Sequence, residues 1–155
     1  MAYETTNPYT AQRIKQFANH TDAELESAVS QAEACFQAWR KKPFTDRAAV
    51  LKNAAKILRS HSEKFAKLIT MEMGKLIAES RGEVALSADI IDYYALHGEE
   101  FLAPQIIASH SGAATIESAP IGVLFGIEPW NFPNYQFGFV APNLMGGNGG
   151  ACQQK

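Results

Sequence analysis

Apolar residues recur at alternating steps of four and three from Leu25 through Val29, Ala32 and Phe36 to Trp39, the pattern of one helix face. Thr21-Asp22-Ala23-Glu24, just ahead of it, has the spacing of a capping box, and Pro43 ends the run. A second helix is predicted from near Thr45 or Asp46, with Leu51, Ala54, Ala55 and Leu58 inward. Ser60-His61-Ser62-Glu63 offers another cap. Behind it, Phe65, Leu68 and Ile69 continue an apolar face as far as Gly74, which suits a left-handed C-cap. A long fourth helix is predicted from about Leu76 to Phe101. Val84, Ala88, Ile91 and Ala95 form its stripe, Gly82 weakens it locally, and Pro104 closes it. Ahead of the helices, Asn7-Pro8-Tyr9-Thr10 reads as a turn and Arg13–Phe17 as a weak strand.

The character then changes. Ala113–Ser118 has an extended pattern. The run from Ile121 to Ile127 is almost wholly apolar and short, as in a strand of a parallel sheet covered on both faces. It leads into Glu128-Pro129-Trp130-Asn131-Phe132-Pro133, and α/β proteins place ligands at such turns, at the carboxyl ends of buried strands. The predicted class is therefore α/β: an N-terminal helical segment leading into the first strands of a Rossmann-like cofactor-binding domain, incomplete within these 155 residues.

Charge and composition narrow the function classes. Fourteen basic and sixteen acidic residues give a net charge of −2, which offers no electrostatic case for nucleic acid or an acidic membrane. No apolar run reaches membrane-spanning length, and the N-terminus lacks the charged and apolar regions of a signal peptide. Cys35 and Cys152 have no partner at metal-ligand spacing, and His20, His61, His97 and His110 are equally scattered. The expectation is a cytoplasmic protein with no metal site, no nucleic-acid partner and no membrane partner.

Asn131 is the residue singled out for chemistry. A side-chain amide fixed between two prolines after a rigid strand is a neutral donor that can be aimed at a developing oxyanion. The alternative is that Asn131 caps a helix starting near Pro133, because asparagine favours caps and turns. Glu79 and Glu83 lie one helical turn apart and share a face; with Glu72 they read as a solvated or salt-bridged helix surface rather than paired catalytic carboxylates. Cys35, beside Phe36, reads as buried and inert.

Pro129-Trp130-Asn131-Phe132-Pro133, preceded by Ile121-Gly122-Val123, resembles the signature of the aldehyde dehydrogenase superfamily. The helical region agrees: Ala34-Cys35-Phe36-Gln37-Ala38-Trp39, then Arg47 and Leu51, then Glu72-Met73-Gly74-Lys75, Glu79 and Glu83-Val84 are similar in order and separation. Together with Tyr94-Ala95-Leu96-His97-Gly98, the Glu72–Lys75 motif is most similar to bacterial NAD(P)-dependent succinate-semialdehyde dehydrogenases. The resemblance implies oxidation of a small-molecule aldehyde to its acid with NAD or NADP. A cysteine attacks the carbonyl, an asparagine amide and a backbone N–H hold the oxyanion, and a glutamate activates the water that releases the thioester. It assigns the asparagine to Asn131 and the lining of the cofactor cleft to Ile127, Glu128, Pro129 and Trp130. It also implies that full-length relatives are homo-oligomers. At Phe139 the semialdehyde enzymes are expected to carry a carboxylate-pairing arginine, a role phenylalanine cannot fill. The helix there is expected to be one residue short around Val140-Ala141-Pro142.

The expected organisation is residues 1–148 as the N-terminal part of an aldehyde dehydrogenase domain, followed by an aberrant tail, 149–155, with no strand pattern. Gly149-Gly150-Ala151-Cys152-Gln153-Gln154, back-translated and read one base later, can give Val-Val-Leu-Val-Asn-Lys, so a shifted reading frame is expected downstream. Cys152 is rejected as the nucleophile because only about twenty residues separate it from Asn131, with no cofactor-binding sheet between. These 155 residues are expected to be inactive alone and to expose apolar strand surface. The alternative is a non-catalytic partner or a nucleotide-binding fragment.

Overall fold

The computed structural model describes residues 3–110 and 112–154. An antiparallel hairpin, β1 (Tyr3–Thr6) with β2 (Arg13–Phe17), comes first. Four helices follow: α1 (Asp22–Trp39), α2 (Phe44–Ser60), α3 (Ser62–Met73) and α4 (Ile77–Phe101). A second short hairpin pairs β3 (Gln105–Ile107) with β4 (Ala114–Ile116). The chain ends in a β–α–β unit in which β5 (Val123–Glu128), α5 (Phe137–Met145) and β6 (Gly149–Gln154) bring two strands together in parallel.

Local chemistry fixes two helix ends, the start of α1 and the close of α3. Thr21 Oγ1 accepts from the Glu24 backbone N–H at 3.3 Å and Glu24 Oε2 accepts from the Thr21 backbone N–H at 2.7 Å, a complete capping box for α1. Gly74 closes α3 at φ +72°, a left-handed conformation that costs a glycine little, and its N–H donates to the Thr70 carbonyl. The cap expected at residues 60–63 differs. His61 occupies the N-cap of α3 without a side-chain cap bond, and the Ser60 hydroxyl donates back to the Ile57 carbonyl instead.

The core lies where α4 meets α2, α3 and α5. Val84, Ala88, Ile91 and Ala95 of α4 are buried against Leu51, Ala55 and Leu58 of α2, Ala66 and Ile69 of α3, and Ala141 and Met145 of α5. A Cβ at Gly98 would stand 3.0 Å from the Met145 Cβ, so glycine is what lets α5 approach α4 this closely. Arg47 is buried and ties the chain across this region. Its Nη1 donates to the Met145 carbonyl at 2.6 Å and its Nε to the Lys42 carbonyl at 2.9 Å. A cation at the C-terminus of α5 also complements the helix dipole.

Several expectations need correction. Leu25 and Val29 lie on the apolar stripe of α1 but are exposed; only Phe36 on that helix is fully buried. Cys35 is exposed, because one helical step of 100° turns it away from the side that buries Phe36. Residues 149–154, expected to carry no strand pattern, form β6. Strand pairing uses backbone groups only, and β5 offers them from Val123 opposite Gly149 to Glu128 opposite Gln154. Glycine also fits the place physically, since a Cβ at Gly149 would meet the Phe36 Cβ at 3.0 Å and the Ala32 carbonyl at 3.4 Å. The Cys152 side chain lies outside the described residues.

Candidate active site

The site is built at the carboxyl end of β5. Gly126 faces α5 and is buried; a Cβ there would stand 3.0 Å from the Phe139 ring. Phe139 is therefore spent on packing α5 against β5. The opposite face of β5 is open, with Phe125 and Ile127 exposed. Beyond Glu128 the chain leaves the sheet through an irregular turn from Trp130 to Gln136, and α5 begins at Phe137. Asn131 thus lies well ahead of the helix. Gln136 occupies the N-cap position, which removes the capping role considered for Asn131. Pro142 lies inside α5, where it cannot donate, and Asn143 Nδ2 donates to the Phe139 carbonyl in the same stretch at 2.7 Å.

Trp130 and Asn131 are both exposed, and the Asn131 amide has no hydrogen-bond partner among the described residues. The turn itself is held by Tyr135 N–H donating to the Phe132 carbonyl at 3.0 Å and Gln136 Nε2 donating to the Pro133 carbonyl at 2.7 Å. Ile127, Pro129, Trp130 and Asn131 are exposed and follow one another along the strand end, while Glu128 is part-buried with its carboxylate on the Gly126 side of β5, toward α5.

Sequence reasoning missed the group beneath this turn. Glu83 of α4 is not on a solvated helix surface: its carboxylate is 1% exposed. Glu83 Oε1 accepts from the Asn134 backbone N–H at 2.9 Å, and Oε2 accepts from Lys75 Nζ at 2.5 Å. Lys75 Nζ also lies 3.3 Å from the centroid of the Phe132 ring, a cation–π contact. The signal was present in the spacing. Ser80, Glu83, Val84, Ser87, Ala88 and Ile91 share the inward side of α4, and a carboxylate there needs a buried partner. The Nδ2 of Asn134 is buried and has no partner among the described residues. Glu72 and Glu79 are exposed, as expected of a helix surface.

Ile127 and Trp130 offer exposed apolar surface on which a planar ring could pack, whereas the Glu128 carboxylate lies on the Gly126 side of β5. No cation in the set is placed for a pyrophosphate, and Lys75 is occupied by Glu83. A separate open cavity of about 340 Å³ between α2 and α4, lined by Phe44, Ala48, Lys52, Leu96, Glu99 and Met145, includes none of the turn residues. Among the described residues no group of three or more His, Cys, Asp or Glu is arranged to hold a metal ion, and no helix is long and apolar enough to cross a membrane.

A parallel β–α–β unit with an exposed amide at its strand end, seated on a four-helix layer, defines a class. The aldehyde dehydrogenase family matches residues 1–150, and the chain belongs to that family. It is 44% identical over 147 residues to a succinate-semialdehyde dehydrogenase [NADP(+)] of Deinococcus radiodurans, covering 94% of this chain and 31% of that protein. It is 38% identical over 144 residues to the succinate semialdehyde dehydrogenase [NAD(P)+] Sad of Escherichia coli K12, covering 92% and 31%. Among solved structures, a succinic semialdehyde dehydrogenase from Streptococcus pyogenes in complex with NADP+ superposes with a TM-score of 0.94 at 40% identity, over 99% of this chain and 34% of that one. Gox0499, studied for cofactor and substrate selection, superposes with a TM-score of 0.97 at 36% identity, over 100% and 34%. The chain spans about a third of the length of these relatives, and its fold is the N-terminal part of theirs.

Proposed function

We propose that this chain supplies the oxyanion-holding and cofactor-lining wall of an aldehyde dehydrogenase that converts an aldehyde to its acid with NAD or NADP. Asn131 is the oxyanion donor, and Ile127, Glu128, Pro129 and Trp130 line the cofactor cleft. The observation that carries the reading is the exposed, unpartnered Asn131 amide in an anchored turn at the end of a parallel strand. The cofactor, when bound, accepts a hydride; the chain's part is to orient and to hold negative charge on the aldehyde oxygen. Succinate semialdehyde is the first substrate to test, on the strength of the relatives' names. The place of action is the cytoplasm.

Placing residues 3–149 in the corresponding third of the Deinococcus radiodurans relative tests this. The chimera is expected to oxidise succinate semialdehyde with NADP, and Asn131→Ala to lower kcat by about 10²–10³. A change within threefold would reject the role of Asn131. The 155 residues alone are proposed to be inactive, since Cys35 is exposed and makes no hydrogen bond to a histidine or carboxylate among the described residues. Cofactor-dependent acid formation by the purified chain, checked with Cys152→Ala, would overturn that.

A further inference from the structure

We propose that Glu83, backed by Lys75, is the positioning residue that holds the Trp130–Gln136 turn and so aims the Asn131 amide. The proposal rests on the reading of Asn131 as oxyanion donor. Two grips bracket the turn just past Asn131. The Asn134 N–H donates to Glu83 Oε1 at 2.9 Å, and the Phe132 ring lies under Lys75 Nζ at 3.3 Å. One carboxylate links both grips, because Glu83 Oε2 holds Lys75 at 2.5 Å. The Glu83 carboxylate is enclosed: its side chain is 1% exposed, and each oxygen has a partner, the Asn134 N–H on one and Lys75 Nζ on the other.

A buried ion pair is seldom a source of net stability, since desolvation offsets the attraction. What it supplies here is geometry. The turn has only short-range bonds of its own, and Pro133 within it has no N–H to donate. Without an anchor on a rigid helix, Asn131 would sample many orientations, and an oxyanion donor works only when its direction is fixed beforehand.

Hydrogen exchange read by mass spectrometry on the full 155-residue chain tests this, comparing the peptide over residues 130–136 with one over residues 88–95 of α4. Glu83→Ala is expected to speed exchange of the turn about tenfold, the consequence of losing a bond to a charged acceptor, with α4 unchanged. Glu83→Gln combined with Lys75→Met keeps an acceptor for Asn134 without leaving a buried charge but gives up the Lys75–Phe132 contact, and is expected to exchange faster than the parent and slower than Glu83→Ala. Unchanged turn exchange in Glu83→Ala would overturn the proposal, as would equal acceleration of α4, which would make Glu83 a general core residue. Loss in the double variant equal to that in Glu83→Ala would remove Glu83 as the anchor of Asn134, and a turn already unprotected in the parent would end the idea outright. None of these readouts depends on what Asn131 does, so failure here is separable from failure of Asn131→Ala in the chimera.

Discussion

At the scale of single residues, Glu24 and Arg47 show how differently charge is used at the surface and in the interior. The Glu24 carboxylate accepts from the Thr21 backbone N–H and then from its hydroxyl, and these bonds hold its pKa below the ordinary carboxylate value. Its folded-state pKa is thus lower than its unfolded one. The stabilisation is complete above the unfolded value, about 4 for a glutamate, and is lost as pH falls through the depressed folded value. Circular dichroism should show α1 fraying on acidification. Glu24→Ala should show the reduced helicity already at neutral pH and a smaller acid transition. Glu63, also held low by its bonds to Arg81, is present in both proteins, so the difference reports Glu24. Arg47 is the opposite case. Burial pushes its pKa down, yet an arginine stays charged, and its guanidinium satisfies the carbonyls of Met145, Lys42 and Arg40. Arg47→Met keeps the apolar stem and orphans those carbonyls. The expected loss is about 2–4 kcal/mol in denaturant unfolding, and a loss below half of that would mean water replaces the guanidinium.

At the scale of elements, β6 lies against α1 only because Gly149 has no side chain. The obstacle to a Cβ there is the Phe36 Cβ and the Ala32 carbonyl, neither of which can rotate away. Gly149→Ala should push β6 off α1 at a cost of about 1–3 kcal/mol and loosen β5, its parallel partner. Faster hydrogen exchange over residues 123–128 would register this, and unchanged exchange would contradict it. The same strand marks where sequence reasoning stopped. The helices were legible because caps, C-cap glycine and apolar stripes act within a turn or two of the chain. β5 was legible from its apolar run. β4 falls within the extended segment read at Ala113–Ser118, whereas β1 and β3 are three or four residues long and mostly exposed, so they carry no apolar pattern, and β6 is glycine-rich and specified by its neighbours. Asn131 stands out as a candidate because two prolines frame it, and its place in the turn before α5 agrees with a residue outside the helix. Glu83 was not legible, because a carboxylate was assigned to the surface although its spacing put it on the buried side of α4. Leu25 and Val29 mislead in the other direction, being apolar and exposed.

At the scale of the whole molecule, the chain is closed on one side and open on the other. The core shared by α2, α3, α4 and α5 is filled by buried aliphatic side chains, and it should melt cooperatively. The β5–β6 sheet is different. It has two parallel strands, and among the described residues neither pairs with any other. Phe125 is 62% and Ile127 is 63% exposed on the open face of β5. Parallel sheets are normally covered on both faces, and unpaired strand edges template further pairing. Burying a phenylalanine or isoleucine side chain is worth about 1.5–3 kcal/mol, so a second copy covering this face recovers several such increments at once. The expected behaviour is concentration-dependent association at neutral pH through the β5 face, with the helical core intact in the associated form. Sedimentation velocity over a range of loading concentrations is the measurement. Phe125→Lys with Ile127→Lys places two like charges on the face and should hold the chain monomeric without shifting the helical melt, because both side chains are already in water. A parent chain that sediments as a monomer throughout would show that the open face is too small or too twisted to self-pair. Association undiminished in the double variant would move the contact to the exposed Leu25 and Val29 of α1.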